Sequence, residues 1–127
     1  SRGLGDVYKR QVTGGNMTDK KKLGILGEEL AAEMLRGKGY YIISRNYTCP
    51  YGEVDIVASK ENTAVFAEVK TRTSEIYGRP AEAVDYRKQK RIRNAARYFL
   101  ASSRRPYEKV EFQVVEISVS HIKGLEF

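Results

Sequence analysis

The sequence has 127 residues, 41% of them hydrophobic and 31% charged, with a formal net charge of +7. That size and apolar content suit one domain with one core and exclude a disordered chain, and no apolar run approaches the roughly 20 residues that a membrane-spanning helix needs. One cysteine, Cys49, and one histidine, His121, exclude an internal disulfide and a cysteine zinc cage and make a Ser-His-Asp or His-rich site hard to build, which leaves carboxylates, Lys, Arg and Tyr to do any chemistry.

Residues Ser1–Asn16 show no periodicity. Asp6–Gln11 reads DVYKRQ, which resembles a translated sequencing-library adapter more than protein. The alternative is a basic disordered arm. A single domain is therefore expected over residues 17–127, starting at Met17. Without the leader the chain is still basic. No apolar stretch follows the early charges as it would in a secretory signal, so a cytoplasmic protein with no membrane partner is expected.

Leu23, Leu26, Leu30, Ala31, Met34 and Leu35 recur at helical spacing and predict an amphipathic first helix. Thr18 or Asp19 would cap its start, and Gly37 or Gly39 would end it. Tyr40–Tyr47 is rich in aromatic and β-branched residues and reads as a strand, followed by turn chemistry at Cys49-Pro50-Tyr51-Gly52. Glu53–Ser59 and Ala64–Thr71 predict two strands of an antiparallel hairpin around Lys60-Glu61-Asn62-Thr63. A polar loop follows over Thr73–Pro80, then a long helix over Ala81–Ser102 and a last strand over Val110–Val119. The order α-β-β-β-α-β predicts an α/β domain, with a mixed sheet flanked by helices.

Two strands hold charges where apolar residues dominate. Side chains alternate along a strand. In GEVDIVA (Gly52–Ala58), Glu53, Asp55 and Val57 should share one face, with Val54, Ile56 and Ala58 on the other. In AVFAEVKTR (Ala64–Arg72), Phe66, Glu68 and Lys70 share a face. A carboxylate inside an apolar strand is unfavourable unless paired or metal-bound. If the strands pair, Asp55 can approach Glu68, and a divalent cation can accept both as oxygen ligands. Mg²⁺ (or Mn²⁺) fits one or two carboxylates plus waters and phosphate oxygens. Lys70 could then orient or help deprotonate a water attacking phosphorus. The plainer alternative for Glu68 and Lys70 is an exposed cross-strand ion pair.

These pieces also carry a family likeness. GEELAAEML with the following GY (Gly27–Leu35, Gly39-Tyr40), RNY (Arg45–Tyr47), GEVDIVA, FAEVKTR (Phe66–Arg72) and YGRPAEAVDYRKQKRI (Tyr77–Ile92) occur in the order found in the YraN family. From about Leu23 to Phe127 the chain resembles that family of bacterial proteins. The resemblance implies a restriction-endonuclease-like fold similar to Holliday-junction resolvases, with a PD-(D/E)xK site. On this likeness Asp55 and Glu68 are the metal ligands, Lys70 is the catalytic lysine, and Glu28 matches an extra acid on the first helix. At 100° per residue Glu28 lies at the edge of the apolar stripe beside Ala31 and Leu35, while Glu29 and Glu33 are expected to face away. A helix-dipole role is the alternative for Glu28. Two departures stand out: Val54 occupies the position where the motif's name has Pro, and Gln113 follows Phe112 where the family tends to have Asp.

The second predicted helix is strongly basic. Arg87, Lys90, Arg91, Arg93 and Arg97 share the face opposite Val84, Ile92, Ala95 and Phe99, and could follow a phosphate backbone. Lys88 projects toward the apolar side, either snorkelling or reaching a cleft. Arg72 and Arg79 flank the acidic pair as further phosphate contacts. Tyr47, Tyr51 and Tyr77 could stack on unpaired bases, although half-buried packing is more common for such residues. Cys49 and His121 are assigned no role. The expected activity is metal-dependent hydrolysis of DNA phosphodiesters; branched or structured DNA is a candidate substrate, on which a homodimer would make paired cuts. The alternatives are a nucleic-acid-binding module with the nuclease fold and little turnover, and an interaction protein whose acidic pair is merely electrostatic.

Overall fold

The computed structural model describes residues 19–73 and 85–120. The expected leader, loop residues Tyr77 and Arg79, the expected helix start at Ala81 and the tail from His121 lie outside the described residues. Among the described residues six elements follow one another: α1 (Asp19–Gly37), β1 (Tyr41–Cys49), β2 (Gly52–Lys60), β3 (Thr63–Thr73), α2 (Tyr86–Ser102) and β4 (Lys109–Val119). This is the α-β-β-β-α-β order that the sequence predicts. The sheet has the spatial order β1-β2-β3-β4. Its first three strands are antiparallel, and β4 runs parallel to β3 after the crossover that contains α2. No helix among the described residues is long and apolar enough to cross a membrane.

A helix covers each face of the sheet, so the central strands are buried on both sides and read as nearly continuous apolar runs. On one face Ala31, Ala32 and Leu35 of α1 pack on Ile56, Ala58, Val65, Ala67 and Val115. On the other, Ile92, Ala95 and Ala96 of α2 pack on Val54, Val57, Ala64 and Phe66. Alanines on both partners let the helix backbones approach the sheet closely. Phe66 anchors the second layer, edge-on to Phe99 and stacked with Phe112.

The ends of the elements have local causes. α1 stops in a Schellman motif: Gly39, at φ 93°, donates to Arg36 O, and Tyr40 N donates to Leu35 O. Tyr40, partly buried, then packs against the core cluster that contains Leu35. The β2–β3 hairpin turns through Glu61 and Asn62, with Glu61 in the left-handed region. α2 begins at Tyr86: Asp85 is extended, and its carboxylate caps the helix by accepting from Lys88 N at 2.9 Å. This backbone bond from Lys88 is the main cause that holds the Asp85 carboxyl below its ordinary value.

Two expectations about α1 are corrected. Met34 belongs to the predicted apolar stripe but is exposed. Glu29, expected to face away, is buried, because Arg45 of β1 reaches up to pair with it at 2.6 Å. Helix periodicity alone carries no trace of that partner.

Candidate functional site

The acidic residues meet where two strands part. The β2–β3 ladder runs from Lys60↔Thr63 to Ile56↔Ala67 and then stops, while β3 continues alongside β4 to Thr73. Asp55 is the next residue of β2 beyond that last pair. Its Oδ2 accepts a hydrogen bond of 2.8 Å from Val69 N, so the side chain replaces the ladder bond that the backbone no longer makes. Asp55 is thereby fixed against β3 one residue from Glu68.

The fork coincides with a twist in β1 and β2. Val54 packs beneath α2 and Ile56 beneath α1, although alternation predicts that they share a face. On β1, Arg45 pairs with Ile56 and Tyr47 with Val54. Arg45 points to α1, through Glu29, and Tyr47 points to α2, edge-on to Phe99. Between them Asn46 is left-handed, at φ 53°. One residue in that region turns the strand over, and Asn tolerates it better than most residues. The expected grouping of Val54 with Ile56 therefore fails for a backbone reason, and the same twist carries Asp55 into the fork. Asn in the middle of the RNY strand was the available signal.

Asp55 and Glu68 line two clefts, one toward each helix. The cleft on the α2 side, about 390 Å³, also holds Gly52, Glu53, Lys88 and Arg91. The one on the α1 side, about 290 Å³, adds Lys20, Glu28, Val69 and Thr71. Glu28 reaches the site because α1 sits unusually close to β3. A Cβ on Gly27 would lie 1.8 Å from Thr71 Oγ1, so only glycine permits this seating. Burial is the main cause that raises the Glu28 carboxyl above its ordinary value. The Asp55 charge adds to it, and the Glu68 charge adds less, against the opposing effects of Arg45 and the Asn46 side chain.

Glu68 is 8% exposed and faces α2, like Phe66. Its Oε1 pairs with Nζ of Lys88 from the first turn of α2. Burial raises the Glu68 carboxyl and Asp55 raises it further, while Lys88 and, more weakly, Lys70 pull it down. Lys70 is half-buried on β3, two residues beyond Glu68, and its charge is felt there. Lys88 thus does reach the cleft, the second of the two orientations its position allowed.

The other basic residues are dispersed. Arg91 is exposed on the rim of the α2-side cleft. Arg87, Lys90 and Arg97 are exposed on α2; Arg93, also exposed, lines the groove between α2 and β4 and so departs from the common face expected for these cations. Arg72 is paired with Glu116 of β4 at 3.5 Å, so it is held on the sheet rather than free on a rim. Gln113 lines an apolar groove between α2 and β4 with Phe66, Glu68 and Phe112. Of the tyrosines, Tyr47 is half-buried against Phe99, and Tyr51 is exposed with its ring edge-on to Tyr98. Glu53, Gly52 and Asn46 belong to the surroundings of the site without having been singled out beforehand.

Among the described residues, no three or more acidic, His or Cys side chains come together as a group that could hold a metal ion. The donor set at the fork is two hard carboxylates on an open cleft, with Glu28 further along. That chemistry fits a weakly held, partly hydrated Mg²⁺ or Mn²⁺ and does not fit a structural zinc. The mutual repulsion of Asp55 and Glu68, which contributes to the raised Glu68 carboxyl, is what a divalent cation would relieve.

Residues 27–117 match the family described as Uncharacterised protein family UPF0102, a span that begins at Gly27 and takes in the fork, α2 and most of β4. Similar proteins that carry the name UPF0102 protein include three from different bacteria. The one from Syntrophomonas wolfei is 48% identical over 104 residues, covering 82% of this chain and 90% of its own. Those from Nocardia farcinica (46% over 99 residues, 78% of each chain) and Caldanaerobacter subterraneus (43% over 99 residues, 78% of this chain and 81% of its own) are similar over nearly the same span. With identities this high along most of each polypeptide, the chain belongs to the UPF0102 family.

Proposed function

We propose that this protein is a divalent-metal-dependent endonuclease of the restriction-endonuclease-like, PD-(D/E)xK class, which hydrolyses DNA phosphodiesters. The observation that carries the reading is the fork, where Asp55 and Glu68 share two clefts; Lys70, two residues along β3 from Glu68, lines neither cleft but its charge acts on the Glu68 carboxyl. Asp55 and Glu68 would hold the Mg²⁺ or Mn²⁺. When bound, the ion supplies Lewis-acid polarisation of a phosphoryl oxygen and acidifies a water in its shell. Asp55 is preorganised for its part by Val69 N, and Glu68 by its rigid strand. Lys70 presents positive charge to the phosphate and a donor to the attacking water. The exposed cations of α2 hold the backbone of the nucleic acid without reading its sequence. Cleavage of branched DNA would use a two-fold dimer, and work on chromosomal DNA would put the protein in the cytoplasm.

The test is cleavage of labelled branched and linear DNA with Mg²⁺ or Mn²⁺. Wild-type protein should cut, and Glu68→Ala or Lys70→Ala should lower the rate by about 100-fold or more while binding persists. Equal cleavage by wild type and both variants contradicts the assignment. The Lys88–Glu68 ion pair supports a second reading, a binding module whose acidic pair is neutralised internally. That reading expects salt-dependent DNA binding with no cleavage under either metal.

A further inference from the structure

We infer that Lys88 is a displaceable internal cation: its ammonium neutralises Glu68 in the metal-free protein, and a divalent ion bound at the fork releases it toward a phosphodiester. The inference rests on the metal-site reading above and adds a competition that the reading does not require.

The two halves of the ion pair are unequal. The Glu68 side chain keeps 10% of its accessible surface, and that of Lys88 keeps 37%. The acid is built into β3 and cannot leave. The amine sits on a flexible four-carbon stem and can rehydrate with little penalty. Stripping Lys88 from Glu68 would leave a buried carboxylate without a partner, which is costly unless another cation replaces it. A divalent ion on Asp55 and Glu68 is such a replacement, and it would compete for the oxygens that Lys88 now holds.

The backbone of Lys88 stays in place during this exchange. Its N–H donates to Asp85 Oδ1 at 2.9 Å, which pins the first turn of α2. Only the stem has to swing. Lys88 and Arg91 line the same cleft as the two acids, so the freed ammonium joins Arg91 at the mouth. Coupling of this kind is reciprocal: the factor by which Lys88 weakens metal binding equals the factor by which metal weakens the ion pair. Metal loading should therefore strengthen the hold on a phosphodiester through Lys88 as well as through the ion itself.

Calorimetric titration of Mn²⁺ into wild type, Lys88→Met and Lys88→Arg tests the competition directly, with Asp55→Asn as the site control. The expected result is Mn²⁺ binding about three- to tenfold tighter to Lys88→Met than to wild type, with no such gain in Lys88→Arg and loss of binding in Asp55→Asn. Fluorescence anisotropy with a short labelled oligonucleotide, with Ca²⁺ replacing the catalytic ion, should show a metal-induced gain in affinity that is larger for wild type than for Lys88→Met. If wild type binds Mn²⁺ and Lys88→Met binds it equally or more weakly, the inference is overturned and the metal site stands. Equal gains in oligonucleotide affinity overturn the release of Lys88. Absence of Mn²⁺ binding in both wild type and Lys88→Met overturns the metal site, and the inference with it.

Discussion

Glu68 pays for its place in the sheet with a carboxyl held above the ordinary value of 4.5, chiefly by burial, and Glu28 is raised for the same leading reason. Such groups keep their protons in the folded protein at a pH where the unfolded chain has already lost them. Stability of the metal-free protein should therefore fall as pH rises from about 4.5 through the raised values, and level off above them. Glu68→Gln removes the penalty while nearly preserving shape, so its metal-free melting temperature at pH 7 should equal or exceed that of wild type. Calorimetric melting checks this, and a clear loss of stability in Glu68→Gln would mean that the Lys88 pair outweighs burial. The approach of Asp55 to Glu68 was legible in the sequence because charges interrupt apolar strands. The choice between Glu28 and Glu29 was legible only in part: the helical wheel placed Glu28 near the sheet, but the burial of Glu29 depends on Arg45, a residue of another element.

The elements position the site through two departures from regular geometry. One is the close seating of α1 on β3, where Gly27 meets Thr71. Gly27→Ala should push α1 outward, destabilise the protein by about 1–3 kcal/mol, and draw Glu28 away from Asp55. Chemical denaturation checks the first effect. For the second, metal affinity and cleavage should fall further than the stability loss explains, since the protein remains folded at assay temperature. The other departure is the reversal of faces at Asn46 and Asp55. Element order and hairpin pairing were readable from periodicity and turn residues. The reversal was not, because a single left-handed residue leaves the alternating pattern of the sequence intact on either side. The cap at Asp85 was not readable for a similar reason: it acts through its backbone conformation and side chain, which leave the helical spacing of the following residues intact.

At the scale of the whole molecule, charge is divided between an acidic fork and a basic outer helix. Arg87, Lys90, Arg91, Arg93 and Arg97 are exposed along α2, and α2 also delivers Lys88 to the cleft. A nucleic-acid backbone lying along this helix would pass the mouth of the site. Each phosphate neutralised contributes about 0.9 to the slope of log affinity against log salt. Replacing Arg87 and Lys90 by Gln should reduce that slope by up to about 2 with little change in melting temperature, and anisotropy titrations at several salt concentrations measure it. An unchanged slope would place the nucleic acid elsewhere. The central claim, that the two carboxylates at the fork hold one divalent ion, is tested most directly by anomalous diffraction from crystals grown with Mn²⁺. The account predicts a peak within coordination distance of both the Asp55 and Glu68 carboxylates, lost in Glu68→Gln. A peak on other residues, or none while Lys88 remains on Glu68, would contradict it.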